Sequence, residues 1–155
     1  MVFGAILGTG AGGGIVVHGR VIRGRNAIGG EWGHTPLPWM TAEEHPGPPC
    51  YCGRRGCIEQ FVAGPALKRE IAARGEELAN ELHEDRLARA FSMVVNFLDP
   101  DVIVLGGGLS NIERLYTTVP RLLPKYVYSQ TVDTAFVRAA HGDASGVRGA
   151  AMLWS

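Results

Sequence analysis

The sequence has 155 residues, 46% of them hydrophobic, and its 15 basic and 15 acidic side chains give a formal net charge of zero. This length allows one domain with a hydrophobic core. The balanced charge argues against a protein that binds nucleic acid or a membrane surface through bulk charge, and no apolar run approaches the ~18 residues of a membrane span. The 22 glycines predict many tight turns, and three cysteines exclude a complete disulfide framework.

The first part of the chain is predicted to form short strands separated by glycines. Residues 2–7 are an apolar run, residues 8–14 are rich in glycine, and residues 15–18 form a second run with β-branched side chains. A Gly-Arg pair then precedes Val21 and Ile22. Two short runs separated in this way favour a hairpin.

Residues 26–58 have a different composition. This segment contains all three cysteines, two tryptophans, several prolines and few aliphatic side chains. A segment of this length without regular structure needs another means of stabilisation or is mobile.

The remainder of the chain predicts helices that alternate with strands. The predicted elements are a helix over residues 59–74 interrupted near Gly64-Pro65, an amphipathic helix over 76–98, a buried strand over 101–105, a helix capped by Ser110 or Asn111 that runs to about residue 126, a strand over 134–139 and a terminal helix over 145–154. Strands followed by alternating helices and strands indicate an α/β domain.

The cysteines form a compact group that suggests metal binding. Cys50, Cys52 and Cys57 lie within eight residues and are separated by glycines that allow the backbone to fold the sulfurs inward. A fourth ligand, either His34 or His45, would complete a tetrahedral zinc site with three thiolates and one imidazole. Four protein ligands leave no open position, so this site would be structural. The alternatives are one disulfide with a leftover thiol, or three free thiols.

Two glycine-rich turns are candidates for phosphate binding, because a turn of this kind exposes several backbone N–H groups. They contain Thr9, Gly10, Gly12, Gly13 and Gly14 in the first case, and Gly106, Gly107 and Gly108 in the second. The first has neither the Gly-Lys-Ser/Thr of a Walker A loop nor a following helix. The second joins a buried strand to a helix, where α/β sheets bind ligands. A plain hairpin turn and a plain strand-to-helix connection are the alternatives.

Carboxylates flank the cysteine segment. Glu31 and Glu59 could each accept two sugar hydroxyls, although surface or helix-cap roles are more ordinary for isolated glutamates. We expect His18 and His83 to be solvated, and the charges of residues 76–89 to form a solvated helix face.

Two of these motifs closely resemble the signature of a known family. They are Gly-Glu-Trp-Gly-His at residues 30–34 and Cys-Tyr-Cys-Gly-Arg-Arg-Gly-Cys-Ile-Glu at residues 50–59. The pattern resembles that of the ROK family, which comprises repressors, open reading frames and sugar kinases. Residues 35–40 are most similar to bacterial fructokinases of this family, with N-acetylglucosamine kinases next. Three further segments resemble the family's kinases, namely residues 7–14, 99–108 and 138–143.

The resemblance implies an actin-like ATPase fold (ribonuclease-H-like) with two domains around a cleft, in which ATP with Mg²⁺ phosphorylates a hexose hydroxyl. It also implies a cytoplasmic enzyme that is often a homodimer. By residue match it assigns zinc to His34, Cys50, Cys52 and Cys57, the sugar hydroxyls to Glu31, His34 and Glu59, the ATP phosphates to Thr9, Gly10, Gly12, Gly13 and Gly14, and the adenosine side to Gly106, Gly107 and Gly108.

One part of the family pattern is missing from this sequence. The family's N-terminal domain supplies an Asp-x-Gly-Gly-Thr phosphate loop and an Asn-Asp pair whose aspartate is the general base, and neither occurs here. We therefore expect residues 1–155 to be the C-terminal domain of a sugar kinase, with a zinc-binding segment at 31–59, no catalytic base and little activity alone.

Two other functions are consistent with the motifs. A sugar-responsive transcriptional repressor of the same family would carry a helix-turn-helix upstream of the same zinc motif. A zinc-stabilised interaction domain without a ligand is the third possibility.

Overall fold

A computed structural model describes residues 1–129 and 131–144. The helix predicted over residues 145–154 lies outside the described residues. The described elements are strands β1 (Val2–Leu7), β2 (Ala11–Val17), β3 (Arg20–Val21), β4 (Val102–Gly106) and β5 (Ala135–Arg138), helices α1 (Glu59–Val62), α2 (Gly64–Arg74), α3 (Glu76–Leu98) and α4 (Leu115–Leu122), and 3₁₀ turns over Trp32–His34, Gly108–Asn111 and Leu123–Lys125.

A five-stranded mixed sheet forms the centre of the molecule, in the order β3-β2-β1-β4-β5. Strand β1 is antiparallel to β2 and parallel to β4, and β4 is parallel to β5. The α/β prediction is therefore confirmed. The β2–β3 hairpin is also present, but Val17 pairs with Arg20, so the turn lies at His18 and Gly19 rather than at the Gly-Arg pair. The positive φ of Gly19 suits that turn position.

The first glycine-rich segment is not one long turn, as the sequence suggested. The turn is confined to Gly8, Thr9 and Gly10, and the later glycines lie inside β2 and pair with β1, namely Gly12, Gly13 and Gly14. A Cβ at Gly13 would lie 2.9 Å from both the Phe3 and Trp32 rings. These rings explain why β2 needs glycine there, because only a strand without side chains at this point lets the aromatic rings approach it.

Helix α3 covers one face of the sheet with the predicted apolar stripe. Leu87, Phe91 and Val94 are buried. The indole of Trp32 stacks on the Phe91 ring with centroids 4.9 Å apart, and its other side meets the edge of Phe3 at 5.7 Å. The proline-rich segment thus contributes an aromatic side chain to the main core, which its lack of aliphatic residues did not suggest.

The prediction of a solvated charged face on α3 holds for its first turns, where Glu76, Glu77 and Glu81 are exposed, but it is wrong for the charged residues that follow. His83 is 2% exposed and its Nε2 contacts the Val62 carbonyl oxygen at 2.9 Å. Arg86 and Arg89 are also buried and contact the Glu44 carboxylate at 2.7–2.9 Å. These charges are buried because the segment before the cysteines packs over this face of α3 and brings a carboxylate to the two guanidinium groups.

The predicted helix between Ser110 and residue 126 is interrupted. The Ser110 hydroxyl donates to the Gly107 carbonyl at 2.7 Å within a 3₁₀ turn, and neither Ser110 nor Asn111 caps a helix. Helix α4 begins later, and a second 3₁₀ turn containing Pro124 follows it. Gly107 adopts a φ of +80° where the chain leaves β4, and the 3₁₀ turn follows it directly.

Candidate functional site

The three cysteines and one histidine converge on a single point. The donor atoms of His34, Cys50, Cys52 and Cys57 all lie within 4.8 Å of one another. The closest pairs are Cys50 Sγ to His34 Nδ1 at 3.5 Å and Cys52 Sγ to Cys57 Sγ at 3.6 Å. All three thiols are free. Between the two histidines that the sequence left open, the structure selects His34 as the neighbour of the thiols.

Left-handed glycines fold the cysteine segment into this knuckle. Gly53 has a φ of +85° and Gly56 a φ of +71°, which L-side chains rarely adopt. The loop is closed by hydrogen bonds from the Cys50 N–H to the Arg54 carbonyl at 2.8 Å and from the Gly53 N–H to the Cys50 carbonyl at 3.0 Å. Three thiols and an imidazole held in this way form the donor set that structural zinc prefers.

The thiols differ in their readiness to ionise. A hydrogen bond from the Arg54 backbone lowers the pKa of Cys52 to about 7, whereas burial and the neighbouring thiols raise the pKa of Cys57 to about 12. Thiolates rather than thiols bind metals. A metal at this site would therefore displace a proton from Cys57 at neutral pH.

Glu59 connects the cysteine segment to the first glycine turn. It is the first residue of α1 and is only 9% exposed, so the ordinary surface role is wrong. Its Oε2 accepts a hydrogen bond from the Ala11 N–H at 3.0 Å. A Cβ at Gly10 would lie 2.6 Å from the same oxygen, so a side chain at that position would have to displace the Glu59 carboxylate.

Glu31 and His34 lie at the two ends of the 3₁₀ turn that carries Trp32. Glu31 precedes that turn and is exposed. His34 ends it, and its Nε2 is 2.8 Å from the Tyr51 hydroxyl. The pKa of Tyr51 is raised, mainly by the negative charge of Glu59 and to a lesser degree by that of Glu31. Two of the three predicted sugar contacts thus adjoin Tyr51, because His34 contacts its hydroxyl and Glu59 lines a cleft with it.

Tyr51 is a site residue that the sequence reasoning missed. Its ring lines a cleft of about 380 Å³ together with Thr9, Gly10 and Glu59. The signal was present in the sequence, because Tyr51 lies between two of the cysteines predicted to bind a metal, and its backbone position therefore follows from theirs. Arg69, on α2, is a second cleft residue that was missed, and it donates to the Gln60 carbonyl at 3.0 Å.

The two glycine turns lie at the same end of the sheet. Strands β1 and β4 are parallel with Ile6 opposite Gly106, so the turn after β1 and the turn after β4 emerge side by side. A Cβ at Gly107 would lie 2.4 Å from the Leu7 carbonyl oxygen, which requires glycine at this contact. The carboxyl ends of parallel strands are where α/β sheets bind ligands.

Among the described residues, no helix is both long and apolar enough to cross a bilayer.

Comparison with known proteins identifies close relatives. The chain is 40% identical over 176 residues to the N-acetyl-D-glucosamine kinase of Vibrio parahaemolyticus, an alignment that covers 98% of this chain and 58% of that kinase. The corresponding kinase of Photobacterium profundum has the same identity and coverage. The chain therefore spans about 58% of the length of the curated relatives that it matches.

Solved structures agree with the fold. A ROK hexokinase from Thermus thermophilus matches with a TM-score of 0.76 at 29% identity, over 97% of this chain and 57% of that one. A ROK family glucokinase from Streptomyces griseus, solved with glucose and AMPPNP, matches with a TM-score of 0.80 at 25% identity, over 98% of this chain and 59% of that one. The expected actin-like ATPase fold is thereby confirmed. Because the ROK family model matches residues 1–155, the chain belongs to the ROK family.

Proposed function

We propose that this protein is an ATP-dependent kinase that phosphorylates a hexose or an N-acetylhexosamine, and that this chain carries its sugar-binding residues and part of its nucleotide site. One observation carries the proposal. One cleft is lined both by Thr9 and Gly10 of the first glycine turn and by Glu59. Tyr51, which contacts His34, lines the same cleft. Phosphoryl transfer depends on holding the phosphate and the accepting hydroxyl close together, and a shared cleft supplies that proximity.

The sugar contacts follow from the chemistry of the lining side chains. Glu59 uses one oxygen to accept the Ala11 N–H, and a carboxylate has further acceptor capacity for a sugar hydroxyl. His34 presents Nε2 on the side away from the thiols. Glu31 is the third sugar contact in the proposal, and it is exposed just before the 3₁₀ turn that ends at His34.

The nucleotide contacts follow from the two turns. We assign the ATP phosphates to Thr9 and Gly10 first, because they lie in the turn itself and line the cleft. The proposed phosphate site also includes three glycines of β2 that follow the turn, namely Gly12, Gly13 and Gly14. The turn after β4, which contains Gly106, Gly107 and Gly108, is assigned to the adenosine side, and Mg²⁺ would accompany the phosphates.

In this proposal a structural zinc ion would be held by His34, Cys50, Cys52 and Cys57. The ion would cross-link the segment and would take no part in the reaction. Zinc binding would affect the cleft by fixing the positions of nearby side chains. Both His34 and Tyr51 belong to this knuckle, so fixing it orients the side chains that face the sugar.

The names of the relatives guide the choice of sugar. The kinases with 40% identity are N-acetylglucosamine kinases, which favours N-acetylglucosamine as the first substrate to test and fructose as the second. They also favour a kinase over the sugar-responsive repressor.

Binding is the direct test for this chain, because its sequence lacks the family's motif for the general base. Titration calorimetry of the zinc-loaded protein with N-acetylglucosamine, glucose and fructose should show saturable binding of at least one sugar. The Glu59→Gln variant should bind it at least about tenfold more weakly, since a hydrogen bond to a charged group contributes ~1.5–3 kcal/mol. A Glu113→Gln variant, changed on an exposed surface, is the control. Equal affinities of wild type and Glu59→Gln would contradict the assignment.

A further inference from the structure

Tyr51 is an exposed side chain whose position is nevertheless defined. Its side chain is 82% exposed, but its backbone lies between Cys50 and Cys52, both members of the metal-ligand cluster. Its hydroxyl is 2.8 Å from His34 Nε2, and its ring meets the His34 ring edge-on with centroids 5.0 Å apart and an interplanar angle of 87°. The position of the ring is therefore defined by the backbone of Tyr51 at one end and by the hydrogen bond of its hydroxyl at the other.

The two nitrogens of His34 have different partners. Nδ1 faces the Cys50 sulfur at 3.5 Å, whereas Nε2 faces the Tyr51 hydroxyl. The imidazole thus keeps one nitrogen for the thiol cluster and turns the other toward Tyr51, which lines the cleft. A hydroxyl at hydrogen-bond distance from Nε2 is chemically equivalent to the sugar hydroxyl that the proposed function places there.

We propose that the Tyr51 hydroxyl occupies the hydrogen-bond position on His34 that a sugar hydroxyl takes, so that Tyr51 sets sugar affinity by competing for His34. This inference rests on the proposed function, because it requires His34 to contact the sugar. Tyr51 is a positioning residue in this account, since it acts through His34.

The energetics make such a competition effective. The interactions shown for the Tyr51 side chain are one hydrogen bond and one edge-on ring contact, so a ligand can displace it at modest cost. The ring also lines the cleft beside Glu59, so its departure would enlarge the space in front of that carboxylate. A sugar that binds must replace the Tyr51–His34 hydrogen bond before it gains its own.

The test compares Tyr51→Phe with wild type in the zinc-loaded chain. Removing the hydroxyl keeps the ring and leaves Nε2 without its competitor, so the dissociation constant for the bound sugar should fall by about two- to tenfold. The matched control is Tyr128→Phe, the same chemical change at a fully exposed tyrosine, which should leave affinity unchanged. Metal content measured on each variant verifies that the cluster is equally loaded.

A second measurement addresses the contact without any sugar. The ¹⁵N resonance of His34 Nε2 should shift in Tyr51→Phe and not in Tyr128→Phe, and adding N-acetylglucosamine to wild type should move the Tyr51 ring resonances. Unchanged or weaker sugar binding by Tyr51→Phe, with wild type still binding, would overturn this inference and leave the proposed function standing. Absence of sugar binding in wild type and variants alike would overturn the proposed sugar site and this inference with it.

Discussion

His34 belongs to two parts of the site at once. One of its ring nitrogens faces the thiol cluster and the other faces the cleft through Tyr51. A single imidazole therefore links the thiol cluster to Tyr51, which lines the cleft.

A cysteine substitution tests the metal cluster. Cys57→Ser should lower bound zinc well below one equivalent and lower the thermal midpoint, because the serine hydroxyl is a poor zinc ligand and the segment loses its cross-link. Zinc content by mass spectrometry after dialysis is the measurement. His45→Ala is the matched control, since His45 is not in the cluster and should retain full zinc. Full zinc retention by Cys57→Ser would refute the ligand set.

The glycines of β2 have different structural requirements although they are adjacent. A Cβ at Gly13 would lie 2.9 Å from the Phe3 and Trp32 rings, whereas a Cβ at Gly14 would meet nothing within 4 Å. Gly13→Ala should therefore lower the free energy of unfolding by about 1–3 kcal/mol through overpacking. Gly14→Ala should have little effect. Chemical denaturation of both variants decides the matter, and equal stabilities would mean that the Trp32 contact does not require glycine.

At the scale of elements, a buried ion cluster attaches the loop before the cysteines to helix α3. Glu44 contacts Arg86 at 2.8 Å and Arg89 at 2.7 Å, and Arg86 also contacts Glu70 at 2.9 Å. Burial alone would raise the pKa of Glu44, but hydrogen bonds from Arg89 and Arg86 outweigh that effect and lower it to about 2. The loop is thus attached to α3 independently of the thiol cluster.

This cluster predicts a defined loss of stability in acid. Because the pKa of Glu44 is about 2 in the folded protein and 4.5 as an ordinary value, its contribution is fully present above about pH 4.5 and is lost as pH falls toward 2. Between pH 6 and pH 3 the protein should lose ~2 kcal/mol from this group. Glu44→Gln should be less stable at pH 6 and should show a shallower decline.

Denaturant unfolding across this pH range provides the measurement. Glu43→Gln is the control, because Glu43 is an exposed neighbour that should leave the pH profile unchanged. An identical pH slope for Glu44→Gln and wild type would show that the ion cluster contributes nothing to this dependence.

Local patterns in the sequence predicted the helices and strands better than they predicted which side chains are buried. The helix break at Gly64, the long helix α3 and the strand before Gly106 follow from proline, periodicity and apolar runs. The burial of His83 and Arg89 could not be predicted, because it depends on their contacts with Val62 and Glu44, which lie in other parts of the chain. The same limit applies to Gly12, Gly13 and Gly14, whose pairing with β1 and contact with Trp32 are long-range properties.

At the scale of the whole molecule, two parallel strands end at the same edge of the sheet, and the turn after the first of them lines one cleft with Tyr51 of the cysteine knuckle. The turns after β1 and β4 emerge side by side, and Glu59 ties the first of them to helix α1 next to the knuckle. The motifs predicted the identities of the candidate ligands, while the structure supplied their convergence and added Tyr51. The homodimer expected from the family belongs to the same proposal and can be checked by light scattering.

Binding of sugar and nucleotide together tests the central claim most directly. Calorimetric titration of the zinc-loaded chain with N-acetylglucosamine, in the absence and presence of a non-hydrolysable ATP analogue with Mg²⁺, reports on both halves of the cleft. The account predicts saturable binding of the sugar and of the analogue, and loss of sugar affinity in Glu59→Gln but not in Glu113→Gln. Saturable zinc binding without affinity for any sugar or nucleotide would contradict it and would favour a zinc-stabilised domain with no small ligand.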